Sequence, residues 1–307
     1  MNSHKISSIT LNSLFILLFF ISFNINAAEL ADLTSDCTLA LNKGEFTKAI
    51  TVSETIIKLE PSGSAGYLCK GRALGAQGNY AAALIALDLS TKNAKDSFDQ
   101  IIGHTVTGNL HKQFNKNAAA ITSYEKSLEI CKAVKNDKFA RINHTLIGET
   151  QVLNKTLDLA IASFTASEKL SNNDHERADS YEHLATTYSA MGKHDLAIEF
   201  QVKAVLMQRK SGTLDQLANA SLEMGRIYTV AKDLPNAEKT YTKLAEFSKE
   251  NGGSYYEAKA YIGMAQTKFA IGDKASANTW MDQAKLIATN TQDKALMLEI
   301  ESAIKSL

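Results

Sequence analysis

Short amphipathic segments alternate with polar breaks along this chain, and the segments recur in register. "KGEFTKAI" at Lys43–Ile50 is echoed thirty-four residues on by "QGNYAAAL" at Gln77–Leu84, with the glycine, the aromatic and the later alanine aligned. That alanine returns at Ala49, Ala83, Ala120, Ala160, Ala197, Ala237 and Ala277, spaced by 34, 37, 40, 37, 40 and 40 residues. Twelve residues before each stand Cys37, Gly71, Gly108, Gly148, Ala185, Gly225 and Ala265, all small. If about a quarter of residues are small, seven in a row arise by chance roughly once in ten thousand trials, so the repeat is real. Each repeat reads as a helix, a short turn such as Gln77–Asn79 or Met191–Lys193, and a second helix. The small residue and the alanine let the two backbones approach. Leu184 with Tyr188, Met224 with Tyr228, and the second-helix rings of Tyr124, Phe164 and Tyr241 then fill the seam. One such hairpin cannot bury its apolar face, so the hairpins must stack.

These columns resemble the tetratricopeptide repeat, whose pattern runs W-x2-L-G-x2-Y, A-x3-F, A and P. "YLCKGRALGAQGNYAAALIAL" (Tyr67–Leu87), "YEHLATTYSAMGKHDLAIEF" (Tyr181–Phe200) and "LEMGRIYTVAKDLPNAEKTY" (Leu222–Tyr241) carry the resemblance best. Counted on that pattern, about seven units occupy 29–290 and begin near Leu30, Ser64, Ile101, Arg141, Ala178, Ala218 and Ala258. The resemblance implies an all-α, right-handed α-solenoid whose concave face is lined by first helices. Only Pro61 fills the family's terminal proline position, and the later units are longer. The longer period looks like the subclass found in kinesin light chains and in bacterial peptide-sensing regulators. Their second helices are expected to run on until the breaks at Asn136-Asp137, Ser171–Asp174, Ser211-Gly212 and Asn251–Gly253. In 291–307, Leu296, Ile300, Ala303, Ile304 and Leu307 share one stripe, which reads as a capping helix.

Composition narrows the function. With 33 basic and 33 acidic residues among 307, no electrostatic footprint for nucleic acid is present. Only two prolines occur, as long helices require. Lys5 precedes the apolar run Leu14–Phe23, and small residues lead to Glu29, so 1–28 reads as a secretory signal peptide. The run is well short of the ~20 residues that span a bilayer. The expectation is therefore an exported protein, periplasmic or alternatively secreted, with no membrane insertion after cleavage. The three cysteines Cys37, Cys69 and Cys131 are read as buried thiols, the alternative being a Cys37–Cys69 bridge that leaves Cys131 free. Asn-x-Ser/Thr triplets at Asn143, Asn154 and Asn219 fall in or beside helices and are read as chance.

Catalytic chemistry finds no footing. His104 and His111 stand two helical turns apart, about 11 Å, too far to share one zinc as helix neighbours. His144, His175, His183 and His194 complete no motif, and neither H-E-x-x-H nor G-x-S-x-G occurs. The chain is read as no enzyme, with no cofactor or metal. Recognition is better supported. Positions 2, 5, 9 and 12 of each first helix should face the groove. Position 9 reads Thr38, Arg72, Asn109, Glu149, Thr186, Arg226 and Gln266, polar throughout and without a lysine. Arg, Asn and Gln bond a peptide backbone or carboxylate in directed geometry. Arg72, Asn109, Lys112 and Gln113 form one set; Glu149, Asp179, Glu182 and Glu223, closed by Arg226, form an acidic one. Members of the family that bind chaperone tails use lysine and asparagine where this chain has Thr34 and Thr38, so that clamp is not implied. The reading is a protein- or peptide-binding scaffold. The alternative is an assembly subunit of an envelope complex, or a homo-oligomer, acting through its convex face with Tyr255, Tyr256 and Trp280 as anchors.

Overall fold

The computed structural model describes residues 28–306, and the leader expected at 1–28 lies outside the described residues except for its last position. Fifteen helices and no strand occur among them. The chain divides into two units, the first ending at Asn143 and the second beginning at His144. In the first, α1 (28–42) and α2 (Phe46–Leu59), α3 (Ala65–Ala76) and α4 (Tyr80–Lys92), and α5 (Ser97–Gln113) and α6 (Asn117–Ala133) form hairpins. The boundary falls within α7 (Asp137–Leu153), which pairs in sequence with α8 (Leu157–Lys169). The second unit continues with α9 (Asp174–Ala190) and α10 (His194–Ser211), α11 (Leu214–Val230) and α12 (Leu234–Glu250), and α13 (Ser254–Ala270) and α14 (Lys274–Asn290). It closes with α15 (Lys294–Ser306). Within each unit successive helices pack on one another, and first helices also pack on first helices: α3 on α5, α9 on α11, α11 on α13.

The repeat columns are the packing seam. Every anchor alanine from Ala49 to Ala277 is at most 1% exposed. In the small column, glycine faces a large partner. A Cβ on Gly71 would strike Leu87, on Gly108 Tyr124, on Gly148 Phe164 and on Gly225 Tyr241. Sixteen residues after Cys37, Ala185 and Ala265, where the column has a Cβ, stand instead Ser53, Gln201 and Met281. An aromatic ring thus stands in the seam only opposite a glycine, where the missing Cβ leaves room for it.

The longer period has two origins, the expected lengthening of second helices and an earlier start of the first helices. First helices from α5 onward run to 17 residues, against 12 in α3. They begin four residues before Ile101, Arg141, Ala178, Ala218 and Ala258. Second helices lengthen too, although α8 keeps 13 residues. Several of the polar breaks are therefore caps of the next first helix. Asn173 accepts from Glu176 N (2.9 Å), and Thr213 with Gln216 forms a reciprocal capping box. Such caps contribute about 1 kcal/mol each.

Each turn within a hairpin holds one residue at positive φ: Gly44, Gly78, Asn115, Lys155, Gly192, Lys232 and Gly272. A left-handed conformation costs an L-residue about 1–2 kcal/mol, partly offset by the freedom glycine gains when unfolded. Lys155→Gly and Lys232→Gly are accordingly expected to stabilise the fold by up to about 1 kcal/mol each. Urea midpoints should rise at unchanged slope, and a fall would mean that the lysine side chains contribute more than their strain.

At the C-terminal end, Leu296 and Ile300 of α15 are buried with Ala258, Ile262, Met281 and Ala288, and Ala303 packs against them. Ile304 is 37% exposed and departs from the expected stripe, while Leu307 lies outside the described residues. The free-thiol reading of the cysteines is corrected. Cys37 of α1 and Cys69 of α3 are disulfide-bonded, with Cα atoms 6.3 Å apart, tying two first helices together. Cys131 alone is free, and burial pushes its thiol up. Asn143 is fully buried and donates to Ser127 Oγ (2.9 Å) and the Phe139 carbonyl (2.9 Å), which leaves it no room for a glycan.

Candidate binding groove

In the first unit the predicted contact residues stand on α3 and α5. Arg72 is exposed and enters no ion pair among the described residues. Asn109 accepts from the Tyr124 hydroxyl (2.8 Å), and Gln113 Nε2 donates to the Gly75 carbonyl (3.1 Å). Asn109 therefore already serves its own hairpin and Gln113 ties it to the preceding one, and Lys112 lies beside them half-buried. Thr34 and Thr38 donate their hydroxyls back to carbonyls of their own helix. His104 and His111 line a separate recess with Asp88, Lys92 and Lys126. Burial lowers the pKa of both imidazoles, assisted at His104 by Lys126 and opposed at His111 by Asp88. The Tyr80 hydroxyl lies 2.9 Å from His111 Nδ1.

The acidic set assembles in the second unit. His183 Nε2 sits 3.8 Å from Glu149 and 3.9 Å from Asp179, its ring stacked on Phe164 at 4.6 Å. Glu182 accepts from Gln208 (3.2 Å), and its pKa is raised chiefly by burial, with Asp179 and Glu223 adding to the rise. Glu223 accepts from Thr186 (3.3 Å) and holds Arg226 through Nε (2.7 Å) and Nη2 (2.5 Å). The Arg226 fork is thus pre-oriented by its own helix, with the side chain still 46% exposed.

Where α11, α13 and α15 meet, a recess of about 670 Å³ opens on the first-helix side. It brings together Arg226 and Gln266, both singled out by position 9, and Glu223 of the acidic set. Leu222 and Ile262 supply apolar lining. The Tyr241 ring lies beneath, held so closely by Gly225 and Gly263 that a Cβ on either would collide with it. Burial pushes the Tyr241 hydroxyl up to about 12, so it remains a hydrogen-bond donor at neutral pH. Gln266 is exposed, with its amide unengaged among the described residues. The lining positions are 2, 5, 6 and 9, whereas Thr229 at position 12 packs hydroxyl to hydroxyl against Thr267 (3.1 Å).

Several lining residues were not predicted. Glu299 of the capping helix accepts from Lys259 (2.5 Å) and from the Tyr255 hydroxyl (3.2 Å). Asn219 donates to Tyr256 (3.2 Å). Tyr255 thus belongs to the first-helix side rather than a convex face, and Trp280 stacks on Tyr261 beside the core. Position 6 had no uniform chemistry to mark it, and Glu299 reaches the recess only because α15 packs on α13.

Residues 178–211, the α9–α10 hairpin, match the family described as tetratricopeptide repeat. That hairpin is a tetratricopeptide repeat. Solved tetratricopeptide-repeat proteins share the fold at low identity. The C-terminal part of one from Cytophaga hutchinsonii is 15% identical at TM-score 0.59, covering 86% of this chain and 98% of that one. A repeat protein from Parabacteroides merdae is 14% identical at 0.56, covering 89% and 98%. A signal-transduction ATPase from Pyrococcus horikoshii, with a tetratricopeptide-repeat sensor, is 18% identical at 0.68, covering 88% of this chain and 43% of its own. No curated protein matches the chain in sequence. Among the described residues no helix is long and apolar enough to cross a membrane, and no group of three or more His, Cys, Asp or Glu is arranged to hold a metal ion.

Proposed function

We propose that this tetratricopeptide-repeat chain is a non-enzymatic scaffold that binds a segment of a partner protein on its first-helix face, in the periplasm. The observation that carries the reading is the α11–α13–α15 recess. It sets the Arg226 fork and the free Gln266 amide above an apolar floor. An extended segment bound there places an apolar side chain on Leu222 and Ile262 while its backbone bonds the amide and guanidinium. Two rim ion pairs, Glu223–Arg226 and Lys259–Glu299, leave the lining without net charge. Affinity there comes from shape and directed bonds, and charge sets orientation. Arg72, with the Asn109, Lys112 and Gln113 around it, is the corresponding surface of the first unit. Export rests on the leader pattern and on the Cys37–Cys69 bridge, which suits an oxidising compartment.

Crosslinking in intact cells, followed by capture from the exported fraction, tests this. Arg226→Glu sets two carboxylates three residues apart and removes the fork, and capture is expected to fall about tenfold, ~1.4 kcal/mol. Arg72→Glu tests the first unit in the same assay. Undiminished capture in both variants, with wild-type circular dichroism, would rule the first-helix face out.

A further inference from the structure

A second recess, of about 560 Å³, lies between the second helices α10 and α12, floored by α11 and wholly inside the second unit. Leu217 and Met224 of α11, Val202 and Leu206 of α10, and Leu244 and Phe247 of α12 give it an apolar interior. Leu206 is 51% exposed there, an apolar wall left facing solvent. Its charged lining residues are Arg209, Lys239 and Lys243, all cationic, and none enters an ion pair among the described residues. The fold does not impose this chemistry. The equivalent recess of the first unit, between α4 and α6 over α5, is lined by His104, His111, Asp88, Lys92 and Lys126, with Leu84 its one apolar residue.

We propose that the α10–α12 recess binds an amphiphilic carboxylate of the fatty-acid type. Its apolar chain lies along the α11 floor and its carboxylate on the lysines and arginine of the walls. Apolar interior and uncompensated cations together match that chemistry and no neutral or cationic lipid. The lining of α12 extends from Asn236 to Phe247, about 16 Å of helix. At ~1.2 Å per bond of an extended chain this spans about thirteen bonds, enough for a twelve-carbon chain with its carboxylate. An acidic amphipathic helix is the competing occupant. At about 10 Å across, a helix of that length fills some 1,200 Å³, roughly twice the recess, so it would ride on the rim.

Calorimetric titration of the purified chain with dodecanoate, kept below its micelle concentration, tests the proposal. One saturable site is expected, with decanoate roughly tenfold weaker for its two lost methylenes and dodecyltrimethylammonium inert. Lys239→Glu with Lys243→Glu, both on exposed positions, should weaken dodecanoate at least tenfold at unchanged helicity. Met224→Trp should block the site by filling it. Absence of saturable binding, equal binding of the quaternary ammonium, or unchanged affinity in the lysine variant overturns the proposal. Binding only of an acidic helical peptide at these residues overturns it equally.

Discussion

Phe164→Ala is expected to destabilise the second unit by about 3–5 kcal/mol, the range for emptying a buried aromatic site. The ring, 1% exposed on α8, packs with Ala160, Leu184, Tyr181 and Tyr188 and stacks on His183. Its edge occupies the space that Gly148 of α7 leaves open: a Cβ there would lie 2.6 Å from Phe164 Cε1. Gly148→Ala alone should therefore cost about 1–3 kcal/mol by overpacking, against the 0.5–1 kcal/mol that alanine normally gains over glycine in a helix. Combined with Phe164→Ala, the added methyl meets a cavity instead of a ring, and its effect should turn neutral or favourable. The double variant is thus expected to be more stable than the sum of the single losses by roughly 1–3 kcal/mol. Urea denaturation of the four proteins measures this coupling. Additive losses would show that glycine and aromatic do not share one space, and with that the seam as described would fail.

That seam was legible in the sequence because its partners are local. Gly148 and Phe164 stand sixteen residues apart, and the same offset joins Gly108 to Tyr124 and Gly225 to Tyr241, so composition alone marks the contact. Helix starts were less legible. Asn173, inside the Ser171–Asp174 break, and Thr213, directly after Ser211-Gly212, cap the helices that follow, so a polar stretch that reads as a break already belongs to the next helix. The groove was half legible. Position 9 points outward by helical geometry, and Arg226 and Gln266 both line the α11–α13–α15 recess. Glu299 could not be found that way. It faces Lys259 from forty residues further on, and nothing in its local pattern tells that α15 docks over α13 at that height. Cysteine pairing was half legible: the sequence offers Cys37–Cys69 as the alternative to buried thiols but does not choose between them. Three thiols on helices of one amphipathic type allow several pairings, and only the approach of α1 to α3 selects one.

Removing the Cys37–Cys69 bridge is expected to cost about 3–4 kcal/mol, from the closure entropy of a loop of some 33 residues. The two cysteines are 32 positions apart, and the bond closes the whole α2 hairpin arm between α1 and α3. Cys37 also occupies the small column, where Ala185 and Ala265 serve elsewhere, so Cys37→Ala with Cys69→Ala is the conservative replacement. In a stacked array each hairpin is held mainly by its neighbours, so the loss should be concentrated at α1 and α2 rather than spread evenly. Hydrogen exchange should then show these helices losing protection first, while α9 to α14 keep theirs. Reductant should lower the thermal midpoint of the wild type and leave the double-alanine variant unmoved. Cys131→Ala should retain the full reductant effect, because that thiol is buried on α6 and takes no part in the bridge. Thiol titration supplies the control: one free thiol in the unfolded oxidised protein and three after reduction. A protein that yields three thiols before reduction, when isolated from its own compartment, would remove both the bridge and the argument for export that rests on it.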